Sequence, residues 1–310
     1  MNRLVRVLLM LVLVSGAAIA LAQAPVRIIH GSNAGAPQDV MLRILAEEMQ
    51  KALGQPVIVE PRPGAEGQIA MTALKQAPAD GNTIFSDGTG ITSILQMPDA
   101  LHKWTDFEPL YRLQLDPFAL YVQRGKYADL KSFLSDMRIR AADVRVGGYA
   151  VNGPFRITLM MIARQVKGDF TWIPFDSGAR AITAVMGGHM EGALSNISVY
   201  SSFREKTAVL AHTAEKRLAQ FPDVPTFKEL GIDIVRYHWR GMFVKRGTPE
   251  PVINRLFEGV GRAVRSDRFQ NYLRDTATLE GTMSRADYAK MLEEQAKADE
   301  QMLRASGAIK

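Results

Sequence analysis

Short apolar runs alternate along this chain with longer stretches in which apolar residues recur every three or four positions, from Val26 almost to the C-terminus. Runs of the first kind predict strands, and stretches of the second kind predict amphipathic helices. Residues 26–29 read as a first strand. Val40, Met41, Ile44, Leu45, Met49 and Leu53 then mark a helix over 38–53, with Gly54 as its stop. Strands at 57–59 and 83–85 and a helix at 68–76 complete a first group. A second group begins after Pro117, with strands at 118–122, 144–146, 171–175 and 208–212 and helices at 130–140, 155–166 and 179–186. A strand at 237–244 returns the chain to the first group. The tail is helical over 251–264 and 284–306, where Ser284 and Asp287 form an S-x-x-D start signal. Such alternation predicts an α/β fold with largely parallel sheets. Two lobes are expected, 23–117 with 237–310, and 118–236. No low-complexity tether separates them, so crossing strands should join them.

The first 22 residues follow a different grammar. Arg3 and Arg6 precede an apolar run from Val7 to Leu13, small residues follow, and Ala20 and Ala22 give an A-x-A site. This predicts a secretory signal peptide cut after Ala22, and hence a protein that works outside the cytoplasm. The apolar run is shorter than the roughly 20 residues a spanning helix needs. With no Cys in 310 residues, stability rests on a large core instead of disulfides. The formal charge of +6 falls to +4 once Arg3 and Arg6 leave with the signal. It is spread out, with no basic run interleaved with aromatics, which argues against nucleic acid as a partner.

The segment VRIIHGSNAGAPQDVMLR, residues 26–43, reads as strand, small-residue loop and first helical turns. Free N–H groups in such a loop, together with the helix dipole, make an anion cradle. GGYAVNGP at 147–154, also opening into a helix, is a second loop of this kind in the other half. Two lobes facing one another through these loops are the expectation.

Several segments together resemble the Bug-type solute-binding proteins of tripartite tricarboxylate transporters. They are Gly35-Ala36-Pro37-Gln38-Asp39 with Arg43, Val59-Glu60-Pro61-Arg62-Pro63-Gly64-Ala65-Glu66-Gly67, and Ala77-Pro78-Ala79-Asp80-Gly81-Asn82-Thr83. Pro174-Phe175-Asp176-Ser177 with Gly178, Phe221-Pro222-Asp223-Val224-Pro225-Thr226 and Gly247-Thr248-Pro249 continue the likeness over nearly all of the mature chain. Ala36 and Gln38 depart from the family's first loop, and Asp176 stands where Lys is frequent. The resemblance implies a two-lobed periplasmic binding protein fold of type II. It further implies a monomeric receptor that captures a small organic carboxylate between its lobes and presents it to integral-membrane transporter subunits.

In that fold a ligand carboxylate is expected between backbone N–H groups around Ser32, Asn33, Ala34, Gly35 and Ala36 and those around Val151, Asn152, Gly153 and Phe155. Pro37 has no N–H and pre-sets the helix start. Asp39 either caps the first helix or meets the ligand. Ser32, Asn33, Thr89, Asn152, Ser177 and Asn196 offer side-chain hydrogen bonds, with Asp176 beside Ser177. Arg156 offers a bidentate partner for a second carboxylate. Tyr149, Phe155 and Phe175 are candidates to enclose the ligand body.

Enzyme chemistry finds little support. The five His residues show no H-E-x-x-H spacing, no G-x-S-x-G elbow is present, and no thiol exists. Asp176-Ser177-Gly178 matches an aspartic-protease triplet, but that chemistry needs two carboxylates and a second triplet is missing. Gly64 to Gly67 fits neither a Walker loop nor a dinucleotide fingerprint. No cofactor, no metal and no catalytic residue are therefore expected. The competing readings are a receptor for a membrane signalling partner and a secreted hydrolase.

Overall fold

The apolar runs pair into strands because each is short and flanked by turn residues. The computed structural model describes residues 24–310, so the predicted signal peptide lies outside the described residues. The strands are β1 (Val26–His30), β2 (Val57–Pro61), β3 (Thr83–Gly88), β4 (Phe107–Gln123), β5 (Arg145–Tyr149), β6 (Thr171–Phe175), β7 (Gly192–Asn196), β8 (Thr207–His212), β9 (Tyr237–Lys245) and β10 (Leu279–Glu280). The helices are α1 (Pro37–Leu53), α2 (Gln68–Gln76), α3 (Ile91–Ile94), α4 (Leu130–Ile139), α5 (Pro154–Val166), α6 (Gly178–Met186), α7 (Tyr200–Phe203), α8 (Glu250–Val264), α9 (Asp267–Asp275) and α10 (Arg285–Ala305).

The main path of strands runs β2-β1-β3-β9-β4-β7-β5-β6, with β8 and β10 also pairing with β4. Parallel pairs lie where alternation predicts them, β1 with β2 and β3, and β5 with β6 and β7. Between them β4 and β9 run antiparallel to their neighbours and make the sheet mixed.

β4 reaches further than the sequence pattern foretells. Its first part, Phe107 to Pro117, pairs with β9, and from Phe118 onward it pairs with β7 and β8. The expected strand started only at 118, because Pro109, Pro117 and the charged Glu108, Arg112 and Asp116 interrupt the apolar pattern. Register shifts between Pro109 and Tyr111 and between Arg112 and Gln114 absorb the irregularity. β7 and α9 also escaped the sequence reading.

Four clusters hold the layers. One lies between α1, α8, α9 and a face formed by Val26, Ile28, Ile84, Met242 and Val244. On the opposite face Ile29, Phe85, Trp239 and Phe243 pack on α2 and α10. The other lobe has Phe118, Leu120, Val146 and Leu194 under α4 and α5, and Ala119, Tyr121 and Ala193 against α6. Near its end α10 leaves its own lobe: Met302 and Leu303 pack on Ile157 of α5. Asp299, fully buried, accepts from Arg236 (2.7 Å) and Thr92 (2.7 Å) and pins that helix beside the strand crossing. Among the described residues no helix is long and apolar enough to cross a membrane.

Candidate functional site

α1 starts on Pro37 because the preceding loop of small residues cannot continue β1, and a proline fixes φ where its missing N–H costs nothing. Gly31 allows this loop to touch the next one: a Cβ there would lie 2.5 Å from the Cα of Gly67. Two of the expected amides are spent inside the protein. The N–H of Gly35 donates to Asp39 Oδ2 (2.9 Å) and that of Ala36 to the Asn33 carbonyl (3.1 Å). Those of Ser32, Asn33 and Ala34 donate to no acceptor among the described residues, and Asn33 and Ala34 are exposed.

Asp39 is the internal anion of this loop. Its carboxylate, 2% exposed, takes His30 Nε2 (3.0 Å), Arg43 Nε (2.8 Å), Arg43 Nη2 (3.1 Å) and the Gly35 amide. Burial pushes its carboxyl up, but the hydrogen bonds from Arg43, Gly35 and His30 and the charge of Arg43 outweigh it and hold it down at about 2. Burial likewise lowers His30, which stays neutral. Asp39 therefore braces the loop from within; its side chain does not cap α1, whose N-cap residue is Ala36. Gln38, a departure from the family's first loop, accepts from Ser32 Oγ (2.7 Å) and donates to the Ser86 carbonyl (3.1 Å), tying the loop to the end of β3.

The second loop is shorter than expected. Gly147, Gly148 and Tyr149 belong to β5, where Gly147 faces Met190 and Phe175 and Gly148 faces Trp172. The bend itself is Ala150 to Gly153. Ala150 takes a left-handed φ of 64° and is fastened by its N–H to Phe175 O (3.1 Å) and by Trp172 Nε1 to its carbonyl (2.9 Å). The amides of Val151, Asn152 and Gly153 donate to nothing among the described residues, and Val151 is exposed. Arg156, half-buried in the first turn of α5, donates to Asn152 Oδ1 (2.5 Å) and Val151 O (3.3 Å) and has no carboxylate partner among the described residues. Burial alone pulls its guanidinium below the ordinary arginine value.

A strip of residues at the strand crossing joins the loops. Gly88, two residues beyond Ser86, would put a Cβ 3.0 Å from His238 Nε2. The His238 ring meets Phe155 edge-on at 5.8 Å and stacks over Phe118 at 6.3 Å. His238 Nδ1 lies 3.3 Å from Asn196 Oδ1, which puts the ring proton on Nδ1. Burial and the charge of Arg240 push His238 down to about 3, so it is a neutral ring at the strand crossing. Burial raises the Tyr149 phenol on the far lobe, and so do the charges of Glu66 and Asp87 on the near lobe.

Three expected site residues have other work. Thr89, buried, donates to Tyr237 O (3.0 Å) and accepts from the Trp239 N–H (2.7 Å), which locks β3 to β9. Ser177 caps α6 by accepting from the Arg180 N–H (3.3 Å). Asp176 is exposed and pairs with Arg180 (2.6 Å). Phe175 packs in the α6 core. Conversely His238 and Arg240 were not singled out in the sequence, although both are polar residues in an otherwise apolar strand and share one face by alternation. Among the described residues no group of three or more His, Asp or Glu side chains is arranged to hold a metal ion.

A family model, the tripartite tricarboxylate transporter family receptor, matches residues 41–308. Protein BugT of Bordetella pertussis is 26% identical over 250 residues, covering 78% of this chain and 77% of BugT. The crystal structure of a TctC solute binding protein from Polaromonas superposes with a TM-score of 0.78 at 26% identity, covering 91% of this chain and 98% of that one. MatC from Rhodopseudomonas palustris with bound malate gives 0.76 at 26% identity, covering 90% and 98%. These neighbours share the two-lobed architecture. This chain therefore belongs to the tripartite tricarboxylate transporter family of receptors, as its Bug-like loop motifs led us to expect.

Proposed function

We propose that this protein is a periplasmic receptor that closes on a small organic carboxylate and delivers it to the membrane subunits of a tripartite tricarboxylate-type transporter. The lobes, 23–117 with 237–310, and 118–236, rock about the crossing strands, and the ligand favours the closed form because only there do both loops touch it. The observation that carries this reading is Arg156: a half-buried arginine in the first turn of α5, beside open loop amides and without a carboxylate partner among the described residues. The contact set we assign is the amides of Ser32, Asn33 and Ala34 from one lobe and those of Val151, Asn152 and Gly153 with Arg156 from the other. Asn196, Phe155 and His238 form the base, and Tyr149 flanks it. MatC, with its bound malate, supports a carboxylate as the ligand class. A receptor role without catalysis fits the family.

Thermal shift of the mature protein against a panel of carboxylates tests the reading. A ligand binding only the folded state at about 100 times its Kd adds roughly 2.7 kcal/mol, an increase easily read as a higher Tm. Failure of every organic acid in the panel, or turnover of any of them, would overturn it.

A further inference from the structure

A second crevice opens where α4, the end of α5, β8 and the segment 225–232 meet, and no residue assigned to the carboxylate cleft lines it. It encloses about 760 Å³, within the roughly 300–1,000 Å³ of small-molecule sites. Its walls are apolar. Leu130 and Leu134 of α4, Leu210 of β8 and Ile232 come from the core of this lobe and are each more than nine-tenths buried. Leu230, on the same wall, is 46% exposed and marks the opening. The space exists because β8 is an edge strand: it pairs with β4 on one side, and on the other the chain returns to it at the bridge of His212 with Thr226.

The charges on its rim are unbalanced. Lys131, Leu134 and Arg138 share one face of α4 by helical spacing, and the two cations stand roughly 10 Å apart along the helix. Both line the crevice, both are exposed, and among the described residues neither makes a hydrogen bond or an ion pair. The acid on the rim, Asp129, is engaged in capping α4, where it accepts from the Ser132 N–H (2.8 Å). The Tyr127 hydroxyl, also on the rim, donates to Asp136 (2.9 Å). Lys131 belongs to the same helix start as Asp129, so Arg138 is the cation farther from the rim carboxylate. An apolar slot with an unpaired guanidinium at one end of its helical wall suits an unbranched chain that ends in a carboxylate.

We propose that this crevice is a second binding site, separate from the cleft, that takes a free medium-chain fatty acid with its chain along Leu130, Leu134 and Leu210 and its carboxylate on Arg138. The chain removes Leu230 and the partly open wall of Ala208 and Pro225 from water, so affinity grows with chain length. The head group is chosen by charge: a carboxylate gains the guanidinium, and an ammonium on the same chain meets two like charges.

Isothermal titration of the mature protein with decanoate, octanoate and decylammonium reads both effects. Decanoate is expected to bind about fivefold or more tighter than decylammonium, and about threefold or more tighter than octanoate. In Arg138→Gln, a change at an exposed position, the preference for decanoate over decylammonium falls to within about twofold of one. Arg156→Ala, a change in the proposed cleft, leaves decanoate binding as it is and so tells the two sites apart. Absence of decanoate binding, equal affinity for decylammonium, an unchanged preference in Arg138→Gln, or loss of decanoate binding in Arg156→Ala overturns the inference. Sedimentation with phosphatidylglycerol vesicles in the absence of decanoate binding overturns it too, because the surface then recognises a membrane and not a free acid. None of these results bears on the receptor reading, which the wider carboxylate panel tests.

Discussion

Replacing Asp39 by Asn removes one charge from the first loop and almost no volume. The carboxyl is held at about 2 against an ordinary 3.8, and at about 1.36 kcal/mol per unit the difference corresponds to about 2.4 kcal/mol. Arg43 is half-exposed, with 51% of its side chain open to solvent, so water screens part of its share and about 2 kcal/mol is the better expectation. Because the folded-state value is depressed, this stabilisation is fully present above about pH 4 and is lost as the pH falls toward 2. By pH 3 about 1 kcal/mol of it is already gone. Urea unfolding with and without Asp39→Asn, both in a His30→Gln background because His30 bonds Asp39 and would itself titrate, followed by far-UV circular dichroism at pH 7 and pH 3, reads the difference. The variant should be less stable by about 2 kcal/mol at pH 7, and the gap should narrow by roughly half at pH 3. A gap that stays constant or widens on acidification would refute the idea that Asp39 acts as a charged brace.

Three further substitutions separate framework from ligand contact. Arg156→Ala should weaken binding of the best carboxylate by about tenfold or more, with the ligand-free Tm nearly unchanged; unaltered titration isotherms would remove Arg156 from the site. Thr89→Val leaves the buried Trp239 N–H and Tyr237 carbonyl without their partner and should cost about 1–3 kcal/mol in chemical denaturation, whereas wild-type stability would mean that the β3–β9 lock is redundant. Gly31→Ala drives a methyl group into the backbone at Gly67 and should cost about 1–3 kcal/mol as the loops part, together with a loss of ligand affinity; a neutral outcome in both measurements would show that the loops do not need to touch.

Where the chain repeats one strand and one amphipathic helix, the sequence pattern is sufficient. α2 and β6 fall on the residues the periodicity predicts, and α1 and α5 differ by one residue at the Pro that opens each. β4 was half legible, because its prolines and charged residues fit a strand only where another strand covers it and a bulge re-aims its side chains. β7, whose sequence is GALSN, is too small and polar to announce itself, and it forms because β4 and β5 flank it. α9 has nine residues and so shows only one apolar grouping, Phe269, Tyr272 and Leu273.

Legibility of the candidate site divides along the same line. Loop positions such as Asn152 and Arg156 could be read from their place before a helix. His238 and Arg240 draw their meaning from strands distant in sequence: Gly88 beneath them, Asn196 and Asp116 beside them. Thr89, Ser177 and Asp39 illustrate the converse, since residues with ligand-like chemistry turned out to satisfy the backbone and side chains of their own chain.

The passage of β4 from one sheet into the other has a consequence for how this molecule comes apart. Leu110 and Leu113 belong to the interior of one half, while Phe118, Leu120 and Val122 on the same continuous ribbon belong to the interior of the other. Melting either half strips the ribbon of partners that the remaining half requires. Denaturation should therefore proceed as a single cooperative event, and neither half cut out at Pro117 would persist as an independent globule.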